Sequence, residues 1–109
     1  MINADATLKA LAEPRRREIL RLVGQQELSA GDVAAHFDVS RPAISQHLGV
    51  LREAGLISER RDGAKRLYSA LPGRMDELGD YLSGFWDDGL ELLKAAAEDE
   101  QRRPRHDDN

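Results

Sequence analysis

The chain has 109 residues, no cysteine, 33% charged and 5% aromatic side chains, and a net charge of -4. That length holds one compact core, and the missing cysteines exclude a disulfide framework, a thiolate metal site and a cysteine nucleophile. No stretch approaches the roughly 18 to 20 apolar residues of a membrane span, and the start, MINADATLKALAEPRRR, has no continuous apolar run, so a soluble, cytoplasmic protein with no membrane association is expected.

In chain order, Leu8, Leu11 and Ala12 have helical spacing. Pro14 can open a second helix that continues through Ile19, Leu20, Leu22 and Val23 to a stop at Gly24; one helix bent at Pro14 fits equally. Ser29 reads as an N-cap with Asp32 three residues on, a carboxylate version of the capping box, which predicts a short helix over about 30–37 with Val33 and Phe37 on one face. Asp38-Val39-Ser40 breaks that helix and Ser40 caps the next, where Pro42 is tolerated because first-turn amides have no intrahelical partner. Ile44, Leu48 and Leu51 follow at i, i+4 and i+7, and Gly55 suits a left-handed C-cap. Two helices joined by about three residues make a helix-turn-helix pattern.

After Leu56, the segments ISERR and KRLYSAL around Asp62-Gly63-Ala64 predict a two-stranded hairpin, a wing beside the second helix. From Arg74 to about residue 97 a long helix is expected, with Met75, Leu78, Leu82, Phe85, Gly89, Leu93 and Ala96 in register and Tyr81, Trp86, Leu90 and Leu92 widening the apolar surface. A helix apolar on more than one face needs more than one neighbour, and the same helix of a second subunit is the simplest. The fold class is therefore mainly α with a two-stranded β-wing: one winged helix-turn-helix domain over residues 1–97 that includes the long helix, then a disordered tail over 98–109.

Charge is divided unevenly. Residues 1–74 carry 12 Lys and Arg against 9 Asp and Glu, or +3, whereas residues 75–109 carry 4 against 11, or -7. A local basic patch decides contact with DNA, so the whole-chain charge does not oppose it. With Ile44, Leu48 and Leu51 turned inward, Pro42, Ser45, Gln46 and Gly49 lie on the outward side of the second helix. Such a helix enters the major groove, where Arg41 suits guanine, Gln46 suits adenine, and Ser45 reaches a base or a phosphate. His47 and Arg52 flank the buried stripe and could reach phosphates at the groove edge, with a partly buried structural histidine as the other reading of His47. In the wing, Arg60, Arg61, Lys65 and Arg66 suit backbone or minor-groove contact. Arg15, Arg16 and Arg17 sit against the dipole in the first turn of their helix and are read as facing a phosphate, an acidic surface or solvent.

The segments LKALAEPRRREIL and SAGDVAAHFDVSRPAISQHLGVLREAGLISERRDGAKRLYSALP resemble the ArsR-type transcription regulators, over roughly residues 7–97. The resemblance implies a symmetric dimer built from the first and last helices, here Leu8, Leu11, Leu78, Leu82, Phe85, Trp86, Gly89 and Leu93. It implies repression through an operator of two-fold character, often the regulator's own, with double-stranded DNA contacted by Ser40, Arg41, Ser45, Gln46, His47 and the wing. Many such regulators sense metals. Here the thiolate sites are impossible, and the long helix offers Asp76, Asp80, Asp87, Asp88 and Glu91 but no histidine, the histidines being His36, His47 and His106, so no metal and no cofactor is expected.

An enzyme is not expected: Ser45 and His47 stand two apart on a helix and point different ways, and no glycine-rich phosphate loop is present. A winged-helix protein adaptor is the main rival, since fold does not settle function; it gives no reason to gather Arg41, Arg52, Arg60, Arg61, Lys65 and Arg66 on adjoining elements. A DNA binder of low sequence preference is the other.

Overall fold

The computed structural model describes residues 3–102, with the side chains of Trp86, Gln101 and Arg102 outside the described set. Two separate helices open it, α1 (Ala4–Leu11) and α2 (Pro14–Gln25). Asn3 caps the first, its Oδ1 accepting from the Ala6 amide at 3.1 Å, and Glu13 caps the second with Pro14 in its first turn. The arginines that follow Pro14 have a local use. Arg16 donates from Nε to the Ala10 carbonyl (2.6 Å) and from Nη2 to that of Lys9 (3.3 Å), and Arg17 donates to the Leu11 carbonyl (2.7 Å). They satisfy open carbonyls at the negative dipole end of α1, a use for positive charge that their place in the first turn of α2 does not offer.

A two-residue strand, β1 (Leu28–Ser29), precedes α3 (Ala30–Ala34). The capping box is complete, with Ser29 Oγ accepting from the Asp32 amide (3.1 Å) and Asp32 Oδ2 accepting from the Ser29 amide (3.3 Å). The helix ends at Ala34, earlier than the spacing suggests, because the His36 and Phe37 amides turn to the carbonyls three residues back (3.0 and 3.1 Å). The connection to α4 (Arg41–Glu53) is therefore residues 35–40, longer than the three expected. Ser40 caps α4 and Gly55, at φ +79, ends it in the left-handed conformation.

The wing is β2 (Ile57–Asp62) and β3 (Lys65–Ala70), joined by Gly63-Ala64. Asp62 faces Lys65 across the strands, so the turn centres on Gly63-Ala64, and the positive φ at Gly63 alone (+66) is the requirement of a type II′ turn. The sheet has three strands in the order β1-β3-β2, all antiparallel, because Leu28 and Ser29 pair with Tyr68 and Leu67. Ile19, Val23, Leu28, Val33, Ile44, Leu48, Leu51, Leu56 and Ile57 form the core. Each such side chain contributes up to about 1.5–3 kcal/mol on burial.

The chain divides into two compact units, Met1–Leu78 and Gly79–Asn109. The last helix, α5, spans Arg74–Arg102 and so contributes to both; it runs five residues past the expected end at 97, and the rest of the expected tail, 103–109, lies outside the described residues. Among the described residues no helix is long and apolar enough to cross a membrane.

Candidate nucleic-acid interface

The recognition face is built by what α4 buries. Ile44, Leu48 and Leu51 are buried, which turns Arg41, Pro42, Ser45 and Gln46 to solvent. Among the described residues, Ser45 and Gln46 side chains make no hydrogen bond within the chain, so their donors and acceptors are free for a ligand. Gly49 is half-buried, yet a Cβ there would meet nothing within 4 Å, leaving the face open. Ser40 stands at the positive end of the helix with its Oγ accepting from the Ala43 amide (3.3 Å), which leaves its proton available to an outside oxygen. The Arg41 guanidinium rests over Gly31 at the start of α3, 3.7 Å from where a Cβ on that glycine would sit, and has no ion pair among the described residues.

His47 is placed differently. It is half-buried, with Nδ1 3.5 Å from Arg16 Nη1 and Nε2 3.8 Å from Glu13, so it braces the recognition helix against the start of α2. Since arginine only donates, those neighbours favour the tautomer with the proton on Nε2, toward the Glu13 carboxylate. Arg52 is half-exposed but tied, donating to Glu59 on β2 at 3.0 Å. Tyr68 shares that corner, and partial burial, then the hydrogen bond and charge of Glu59, push its phenol above the usual tyrosine range.

Strand alternation divides the wing cations. Glu59 pairs with Tyr68 and Arg61 with Arg66, so these four share the face that Arg52 of α4 approaches. Arg60 pairs with Leu67 and Asp62 with Lys65 on the opposite face. Arg61 and Arg66 are exposed, with no ion pair among the described residues. Arg60 instead grips Glu27 with both ends of its fork, Nε to Oε2 at 2.6 Å and Nη2 to Oε1 at 2.7 Å, and this pairing holds the Glu27 carboxyl below its ordinary value. On the same side the Ser29 hydroxyl and amide, and then the charge of Lys65, hold Asp32 below the usual aspartate range.

The expected subunit contacts fall into two sets. Leu78 is only 5% exposed and is covered by its own fold, and Leu11 packs against the core, whereas Leu8 remains partly exposed. In the second unit Leu82 (41%), Phe85 (70%) and Leu93 (66%) are exposed and Gly89 is half-buried, while the Trp86 side chain lies outside the described set. Among the described residues no three His, Asp or Glu side chains converge as a metal site. Glu27 meets Arg60 from 33 residues away and Glu13, besides capping α2, meets His47, pairings that no local sequence signal announces, whereas Glu59 reaches Arg52 only seven residues back.

Residues 13–59 match the model of the bacterial regulatory protein, arsR family. The transcriptional repressor SdpR of Bacillus subtilis is 46% identical over 61 residues, covering 56% of this chain and 68% of SdpR. The regulator Rv2034 of Mycobacterium tuberculosis is 38% identical over 84 residues, 77% of this chain and 78% of its own. The crystal structure of a possible transcriptional regulator for arsenical resistance superposes with a TM-score of 0.69 at 44% identity, covering 82% of this chain and 93% of that one. With its winged helix-turn-helix and these relatives, the chain belongs to the ArsR family, whose members are DNA-binding transcription regulators and not enzymes.

Proposed function

We infer that this regulator is a homodimeric repressor that binds an operator of two-fold character in front of its own or an adjacent operon. The observation that carries the base-reading part is the outward face of α4, where Ser45 and Gln46 are exposed beside Arg41 and, among the described residues, have no hydrogen-bond partner. Gln46 fits a bidentate pair with adenine and Arg41 one with guanine. Arg61, Lys65 and Arg66 supply wing contacts to the backbone or minor groove, and Ser40 a phosphate contact at the helix N-terminus. The dimer rests on α5, whose exposed Leu82, Phe85 and Leu93 form an apolar surface that a soluble single chain rarely leaves uncovered. Such a regulator acts on the chromosome, hence in the cytoplasm.

Fluorescence anisotropy against the duplex upstream of its own gene and a scrambled duplex, at two salt concentrations, tests this reading. Selective binding to the upstream duplex, with a two-subunit mass by light scattering, is the expected result. Equal affinity for both duplexes with a steep salt dependence would identify an unselective binder, and no binding at low salt would favour an adaptor.

A further inference from the structure

Consecutive residues of β2 are clamped from opposite sides. Glu59 faces α4 and is held by Arg52 at 3.0 Å; Arg60 faces the other way and is held by Glu27 at 2.6 and 2.7 Å. Glu27 lies just before β1, the strand on the far side of β3 from β2. The Arg60–Glu27 fork therefore crosses the outer face of the whole sheet, over Leu67, and ties the wing to the end of α2. A bidentate arginine–carboxylate pair fixes both distance and orientation, which a single point contact does not.

The geometry points to Glu27 as the positioning residue of the wing: by holding Arg60 it fixes where Arg61 and Arg66 meet the duplex relative to Gln46, and Arg60 itself is not a DNA contact. The function rests on the DNA-binding reading above. Such positioning differs from a general electrostatic effect in two ways. Glu27 is an acid within the DNA-binding unit, so if it acted only through charge its removal would tighten binding to every duplex. If Arg60 touched a phosphate, its removal would lower the salt slope by about 0.9, the value of one phosphate contact.

The test uses the full-length protein and two probes, a duplex selected from a random pool by the wild-type protein and a scrambled duplex of the same composition. Glu27→Gln should bind the selected duplex about tenfold more weakly while binding the scrambled one as well or better, so selectivity falls. Arg60→Ala should lose similar selectivity with its salt slope unchanged. The charge swap of Glu27→Arg with Arg60→Glu should restore much of the selectivity, and it serves as the deciding variant should either single change unfold the protein. Unchanged selectivity in Glu27→Gln, a salt slope reduced by about 0.9 in Arg60→Ala, or a folded swap without recovery would overturn the assignment. A wild-type protein that does not distinguish the two probes would instead refute the operator-binding reading, and this proposal with it.

Discussion

Ser40 was expected both to cap α4 and to touch DNA; it does cap the helix, and a pair of substitutions separates the two roles. Pro42 has no amide hydrogen, and the Ile44 amide already bonds to the Ser40 carbonyl (3.1 Å), so the Ala43 amide is a first-turn donor that depends on the Ser40 side chain. Its site is exposed, and water can replace the lost acceptor, so Ser40→Ala should cost about 1 kcal/mol, within the usual range for losing a cap. For a domain of this size that lowers the melting temperature by about 4–8 °C at fixed protomer concentration. Ser40→Asp keeps an acceptor and adds a charge that the helix dipole favours, so its melting temperature should match the wild type or exceed it. If the N-terminus of α4 faces DNA as proposed, the same charge meets the phosphates, and operator affinity should fall by tenfold or more, about 1.4 kcal/mol. Thermal melts followed by circular dichroism and anisotropy titrations on the same samples give both quantities. If Ser40→Ala melts with the wild type, or Ser40→Asp melts below Ser40→Ala, the capping account is wrong. If the aspartate variant binds operator as tightly as serine at low salt, the end of α4 does not face DNA.

Gln46→Ala removes an exposed side chain with no partner among the described residues, so stability should stay within about 0.5 kcal/mol while operator discrimination drops by about 1–3 kcal/mol per half-site; equal losses on operator and scrambled duplexes in a titration series would rule out base reading. Asp32 has its folded-state pKa depressed by the Ser29 bonds, so it adds stability above its ordinary value of 3.8 that is lost as pH falls through the lower folded value. Urea titrations should show wild type more stable than Asp32→Asn near neutrality, with the gap closing at acid pH, and a gap that widens on acidification would reverse the assigned sign. Replacing Leu82 and Phe85 together with Gln should yield monomers by light scattering that retain the helical content of the wild type; a dimer of undiminished stability would remove α5 from the subunit contact.

The parts of the fold that could be read in the sequence are those encoded within about four residues. The Ser29–Asp32 box, the Ser40 cap, the prolines in first turns and Gly55 at φ +79 each carry their signal locally. The same holds for the buried stripe of α4, since one helical period fixes both its inner and outer faces. What the sequence hid depends on distant partners. Leu28-Ser29 has no strand periodicity and becomes β1 only because β3 offers an edge. His47 reads equally as a groove contact or a partly buried structural histidine until Arg16, 31 residues earlier, is brought to its ring, and Arg60 reads as a free wing cation until Glu27, 33 residues earlier, closes on it. Formal charge counts residues alike whether they are free or already matched, so it overstated the number of cations available to a ligand.

The division of labour on α4 also bears on how such a regulator can diversify. Ile44, Leu48 and Leu51 are buried and hold the helix in place, while Ser45 and Gln46 are exposed and, among the described residues, make no side-chain hydrogen bond. Substitutions at the two outward positions therefore leave the folding equilibrium nearly untouched, within about 0.5 kcal/mol each. A gene duplicate can thus drift to a new target sequence one residue at a time, through intermediates that all remain folded, without any second change to repair the core.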